Sequence, residues 1–193
     1  MTATRLTVTI APLVLIFIMV CFGGGQDKKS GALTPNIAAL KCTIALDDSN
    51  LHSGGENNLR VAMRNLQATD TTIDTFNVYL SPSGYPAPLG DEPAERAYVA
   101  PINLETKGAL EPKQTRDDEW HYPSTLLKIV AGGEEAFAVD LSSLRWGRVN
   151  AAQLPSQKLG SVEPGKYTIY VVATRDGISH KCVSNRMAVA LHK

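Results

Sequence analysis

Residues 162–173 read Val-Glu-Pro-Gly-Lys-Tyr-Thr-Ile-Tyr-Val-Val-Ala. Pro164-Gly165 is a turn pair, because proline presets one backbone angle and glycine accepts conformations closed to other residues. Beyond it Tyr167, Ile169, Val171 and Ala173 alternate with Thr168, Tyr170 and Val172. Alternation of period two sends successive side chains to opposite faces of a strand. Both faces are largely apolar here, so the strand is expected in the middle of its sheet.

The same alternation recurs along the chain. Leu40, Cys42, Ile44 and Leu46 alternate with Lys41, Thr43 and Ala45; Leu59, Val61 and Met63 alternate with Arg60, Ala62 and Arg64. Between them lie Asp47-Asp48-Ser49-Asn50 and Ser53-Gly54-Gly55-Glu56-Asn57, both rich in turn residues. Phe76, Val78 and Leu80 form another face, as do Phe137, Val139 and Leu141, and Met187, Val189 and Leu191 end the series. Cys182 has the opposite parity to those last three residues, which predicts a one-residue bulge near Ser184-Asn185. A strand over 98–104 contains Pro101, which has no N–H for a ladder, so it is expected at a sheet edge. Residues 126–130 form a further short strand. No run of ten residues in this part of the chain has helical spacing. Connections 81–96, 105–124 and 142–162 lack periodicity and are expected as long loops.

The N-terminus has a different character. Arg5 is followed by an apolar stretch from Leu6 to Phe22, then Gly23-Gly24-Gly25 and the polar run Gln26-Asp27-Lys28-Lys29-Ser30. A basic start, an apolar stretch and small residues before a polar sequence describe an export signal over 1–25. A polar linker over 26–37 and one domain over 38–193 follow. Cleavage before Gln26 releases a soluble protein. Ile18-Met19-Val20-Cys21 has the outline of a lipobox, with Val20 where a small residue is the rule, so lipidation at Cys21 is an alternative. An uncleaved anchor is the third, although the apolar run is short for a membrane span. The expected location is therefore outside the cytoplasm: secreted, periplasmic or attached to the envelope.

With Cys21 in the signal, the mature chain keeps Cys42 and Cys182, which read as one disulfide in an oxidising compartment. Two separate buried thiols are the competing reading. Lys and Arg number 19, as do Asp and Glu, and removing residues 1–25 deletes only Arg5. A near-neutral domain lacks the field that gathers polyanions, so nucleic acid is not an expected partner. Membrane contact is expected only through the signal or a lipid at Cys21.

Val162 to Tyr167, a Pro-Gly turn leading into a Tyr-led strand, resembles the tyrosine corner of immunoglobulin-like and fibronectin-III-like sandwiches. Val183-Ser184-Asn185 is similar to the approach to the closing strand in bacterial domains of this type. The resemblance covers about residues 40–191 and implies a single antiparallel immunoglobulin-like β-sandwich of seven to eight strands with long loops. Cys42 in the first strand departs from the family bridge, which joins the second and sixth.

The sequence assembles little chemistry. His52, His121, His180 and His192 form no His-Glu-x-x-His pattern, and no Cys-x-x-Cys is present. Asp117-Asp118-Glu119-Trp120-His121-Tyr122 is the densest polar cluster and has two readings, a solvated loop or a metal or acid–base site. No serine has the Gly-x-Ser-x-Gly frame of a nucleophile elbow. Asp47, Asp48, Asn50 and Glu56 lack calcium-loop spacing. No cofactor, metal site or catalytic residue is assigned. Trp120, His121, Tyr122, Arg145, Trp146 and Arg148 fall in long connections, and aromatics with arginine anchor recognition surfaces. The expectation is a non-catalytic exported module binding a protein or polysaccharide. A hydrolase or metal-dependent enzyme using the 117–121 loop, and a purely structural surface domain, are the alternatives.

Overall fold

The computed structural model describes residues 40–84, 96–115, 119–151, 154–175 and 180–193, all within a compact unit spanning 36–193. The signal, the linker and Cys21 lie outside the described residues, as do Asp117 and Asp118. In chain order the strands are β1 (Leu40–Leu46), β2 (Asn50–His52), β3 (Asn58–Asn65), β4 (Thr71–Ile73), β5 (Thr75–Pro82), β6 (Tyr98–Asn103), β7 (Gly108–Ala109) and β8 (Lys113–Gln114). They continue as β9 (Trp120–His121), β10 (Leu127–Ile129), β11 (Glu134–Asp140), β12 (Gly147–Arg148), β13 (Gly165–Arg175), β14 (His180–Val183) and β15 (Met187–His192). Seven of them run six residues or more, and the described residues contain no α-helix, only a 3-10 turn at Leu159–Ser161.

The protein is an all-β sandwich. One sheet has the order β1-β3-β11; the larger has the order β12-β6-β5-β13-β15-β2, with β14 added to β13 and β7 to β6. Two short pairs, β4 with β10 and β8 with β9, complete the structure. Ile44, Leu59, Val61, Met63 and Val139 from the smaller sheet meet Phe76, Val78, Leu80, Ile169 and Val171 from the larger in one core. Each such side chain, fully buried, contributes roughly 1.5–3 kcal/mol. Alternation set these facings: in β3 Leu59, Val61 and Met63 are buried while Arg60 and Arg64 are exposed.

β13 is central, as its two apolar faces require. It pairs with β5 along 167–174 on one side and with β15 and β14 on the other. Its second face buries Tyr170, stacked on Tyr79 with ring centres 5.2 Å apart.

Three expectations need correction. The parity change after Cys182 is a break and not a one-residue bulge: β14 ends at Val183 and β15 begins at Met187. Ser184 holds the gap, its N–H donating to the Val171 carbonyl and its Oγ accepting from the Val171 N–H, both at 3.0 Å. Cys182 is therefore on the penultimate strand, not the last. β6 is not an edge strand, since β12 covers 98–99 and β7 covers 102–103. Pro101 sits between these two short partners and offers only its carbonyl, which accepts from the Leu110 N–H at 3.2 Å. The sheets are antiparallel except for one pair, β2 with β15, which is parallel. Finally, 142–162 is no surface loop. Leu144, Trp146, Leu159 and Val162 are all in the core.

Candidate functional site

The six recognition candidates separate into frame and surface. Trp146 is fully buried, with its indole N–H donating to the Leu141 carbonyl at 3.1 Å. Its backbone N–H donates to the Gln157 carbonyl at 2.7 Å and its carbonyl accepts from the Gln157 N–H at 2.9 Å. The next residue is Gly147 for a steric reason: a Cβ there would lie 2.8 Å from the Pro155 Cα. Trp146 is a core residue and is withdrawn from the recognition set.

Arg148 also belongs to the frame. Its guanidinium pairs with Glu163 at 2.6 Å and lies over the Tyr98 ring, 4.8 Å from its centre. Tyr98 in turn meets Tyr167 edge to face at 6.3 Å. Tyr167 is buried, and its hydroxyl donates to the Glu163 carbonyl at 2.6 Å. The bond returns the tyrosine hydroxyl to backbone four residues upstream. Burial first, then Tyr98 and Glu163, pushes the Tyr167 phenol up to about 12.

The remaining candidates share one surface. β8 and β9 form a small hairpin pairing Lys113 with His121 and Gln114 with Trp120. Thr115 closes it: its N–H donates to the Glu119 carbonyl at 2.7 Å, and its Oγ1 accepts from the Glu119 N–H at 3.1 Å. Trp120 is 58% exposed, and His121 beside it is exposed as well. Tyr122 turns back toward the body. Its hydroxyl is buried without a hydrogen-bond partner among the described residues. Burial first, with the Glu111 charge second, pushes that phenol up to about 12. Glu111 is itself held by Arg145, Nε to Oε1 at 3.0 Å. Trp120, His121, Tyr122, Glu111 and Arg145 thus gather around the hairpin and its base.

The acidic turn after β1 is occupied by local interactions. Asp47 pairs with Arg60 at 2.8 Å, and Asp48 Oδ1 accepts from the Asn50 N–H at 2.8 Å and from its amide at 3.1 Å. Cys42 and Cys182, expected as a disulfide, are buried neighbours, each in the thiol form. The contact with the Cys182 thiol, and then burial, hold the Cys42 thiol far above its usual range.

One pair escaped sequence reading. His52 and His192 are register partners across β2 and β15, with their rings stacked 5.5 Å apart at 26°. No motif signals it, because the juxtaposition arises only when the final strand lies parallel to β2.

No protein-family model matches the chain. No curated protein matches it. Among solved structures, the alkylpurine DNA glycosylase AlkC of Pseudomonas fluorescens, bound to DNA with an abasic-site analogue, is 8% identical at a TM-score of 0.38, over 80% of this chain and 31% of its own. The sporulation control protein Spo0M of Bacillus subtilis is 12% identical at 0.38, over 80% of this chain and 50% of its own. This chain therefore spans a third to a half of the length of those two proteins. The CARDB domain of the PF1109 protein of Pyrococcus furiosus, in complex with di-metal ions, is 11% identical at 0.36, over 86% of this chain and 97% of its own. These are likenesses of coarse shape alone.

Proposed function

We propose that this chain is an exported, non-catalytic immunoglobulin-like module that recognises a protein or polysaccharide in the cell envelope or outside the cell, using the β8–β9 strand pair and Tyr122. The observation that carries the reading is Trp120. A tryptophan more than half exposed on a hydrogen-bonded strand pair leaves a large apolar face in water, and tryptophan is enriched among the residues that dominate binding interfaces. The hairpin fixes the ring's backbone, so little ordering entropy is lost on binding. Arg145 and Glu111 at its base supply polar partners. Export is supported by the apolar stretch and small residues of 1–25. The immunoglobulin-like reading is supported by the hydrogen bond from Tyr167 to Glu163.

The test is binding of purified protein to a panel of soluble polysaccharides by affinity electrophoresis, and to the native envelope fraction by co-sedimentation. Trp120→Ala should weaken the interaction at least tenfold while leaving the melting temperature within about 2 °C, because an exposed ring contributes little to folding. Unchanged binding by Trp120→Ala would remove the hairpin from the proposal.

A further inference from the structure

We infer that His52 and His192 form a two-point chelate for a divalent late first-row transition metal, of the copper, nickel or zinc class. The two residues pair in register across the parallel strands β2 and β15. Leu51 and Leu191 beside them are buried in the core, so alternation points both imidazoles to the same solvent-facing side. Both residues are exposed, which leaves their rings free to turn about the side-chain bonds and aim a nitrogen each at a common point.

The spacing suits a metal. A metal–nitrogen bond of about 2.0–2.1 Å puts the ion about 3.2 Å from each ring centre. Ring centres 5.5 Å apart then subtend about 115–120° at the ion, close to a tetrahedral angle.

The backbone under the pair is fixed in advance. The His52 N–H donates to Asn57 Oδ1 at 3.0 Å, and Asn57 Nδ2 donates back to the His52 carbonyl at 2.7 Å. Asn57 is buried and also donates to Ser142 Oγ at 2.7 Å, while its backbone N–H donates to Asp140 Oδ1 at 3.2 Å. On the other strand the His192 carbonyl accepts from the Ser53 N–H at 3.2 Å. Two ligands on braced strands lose little freedom when an ion joins them. The Asp48 carboxylate lies within electrostatic reach of His52, a negative charge that favours a cation. No three His, Cys, Asp or Glu side chains gather around one point among the described residues, so the remaining coordination positions fall to water and the site is open. Neutral imidazole with open positions suits the late divalent metals, with copper tightest.

The experiment is calorimetric titration of untagged full-length protein with Cu2+, Ni2+ and Zn2+ separately. One ion per chain should bind, in affinity order Cu2+ above Ni2+ and Zn2+. His52→Asn and His192→Asn should each weaken it at least tenfold, and the double variant should lose less than the two single losses combined, as a chelate requires. His121→Asn and His180→Asn should leave the site intact. A second reading keeps the inference exposed if a variant misfolds: Cu2+ added to wild-type protein should broaden the NMR signals of residues 52 and 192 before any others. Binding unmoved by His52→Asn, a double variant that loses twice what a single loses, first broadening elsewhere, or no binding overturns the chelate.

Discussion

Tyr167 and Glu163 are four residues apart, yet their hydrogen bond ties a turn to the central strand. A buried hydroxyl left unpaired costs about 1–3 kcal/mol, and the Glu163 carbonyl at 2.6 Å removes that cost. Tyr167→Phe should therefore destabilise by roughly 1 kcal/mol, and Tyr167→Ala by about 3–5 kcal/mol through lost packing against Tyr98 and the core. Denaturant unfolding of the two variants checks this, and equal losses would contradict it. The same residue makes stability depend on alkaline pH. The phenols of Tyr167 and Tyr170 are raised from 10.0 to about 12, chiefly by burial. A raised value means the folded state binds the proton more tightly than the unfolded one. Stability is thus complete below about pH 10 and lost as pH climbs toward 12. Tyr167→Phe should flatten part of that loss in unfolding curves collected across this range. At the residue scale the sequence was uneven as a guide. Tyr167 was legible because a local turn precedes it. Trp120 and Trp146 looked alike, both aromatic in aperiodic stretches. The difference between 58% exposed and fully buried comes from tertiary partners, Leu141 and Gln157 for Trp146.

Strands with unbroken alternation, namely β1, β3, β5, β11 and β13, were readable because one buried face imposes period two on the sequence. The stretch 142–162 was not, since its core residues Leu144, Trp146, Leu159 and Val162 enter from turns and a two-residue strand. Turns impose no period. The join between β14 and β15 was half legible: parity announced an irregularity there, and polar side chains determined its form. Asn185 in that break completes the edge of the other sheet. Its Oδ1 accepts from the Ile44 N–H at 2.7 Å and its Nδ2 donates to the Ile44 carbonyl at 3.0 Å. One side-chain amide thus stands where a neighbouring strand's peptide would, and it satisfies β1 while linking the two sheets. Asn185→Ala should cost about 2–3 kcal/mol, as two part-buried backbone groups lose their partners. Hydrogen exchange offers the sharper check, because the Ile44 amide should lose protection ahead of its β3-paired neighbours. Unchanged protection at Ile44 would show that the amide bridge holds nothing.

Across the whole molecule, Cys42 on β1 and Cys182 on β14 meet near the same inter-sheet seam that Asn185 spans. Their contact and burial hold the Cys42 thiol well above its usual range, and a bridge between them would tie β1 to β14. Mass spectrometry of non-reduced digests of the protein recovered from its native cells should find Cys42 linked to Cys182, and two alkylatable thiols would refute the link. Closing a loop of about 140 residues stabilises by roughly 5 kcal/mol at most, so Cys42→Ser should cost a few kcal/mol. The arrangement separates roles: the Tyr167–Glu163 hydrogen bond, the cysteine pair and Asn185 tie the frame, while Trp120 on β9 is exposed. The direct test of recognition outside the cytoplasm is photocrosslinking on intact cells, with a photoreactive residue at position 120 and, as control, at exposed Lys128 on β10. An adduct with an envelope or extracellular macromolecule from position 120, and none from 128, is the predicted result. No adduct from 120, or equal adducts from both positions, would contradict it.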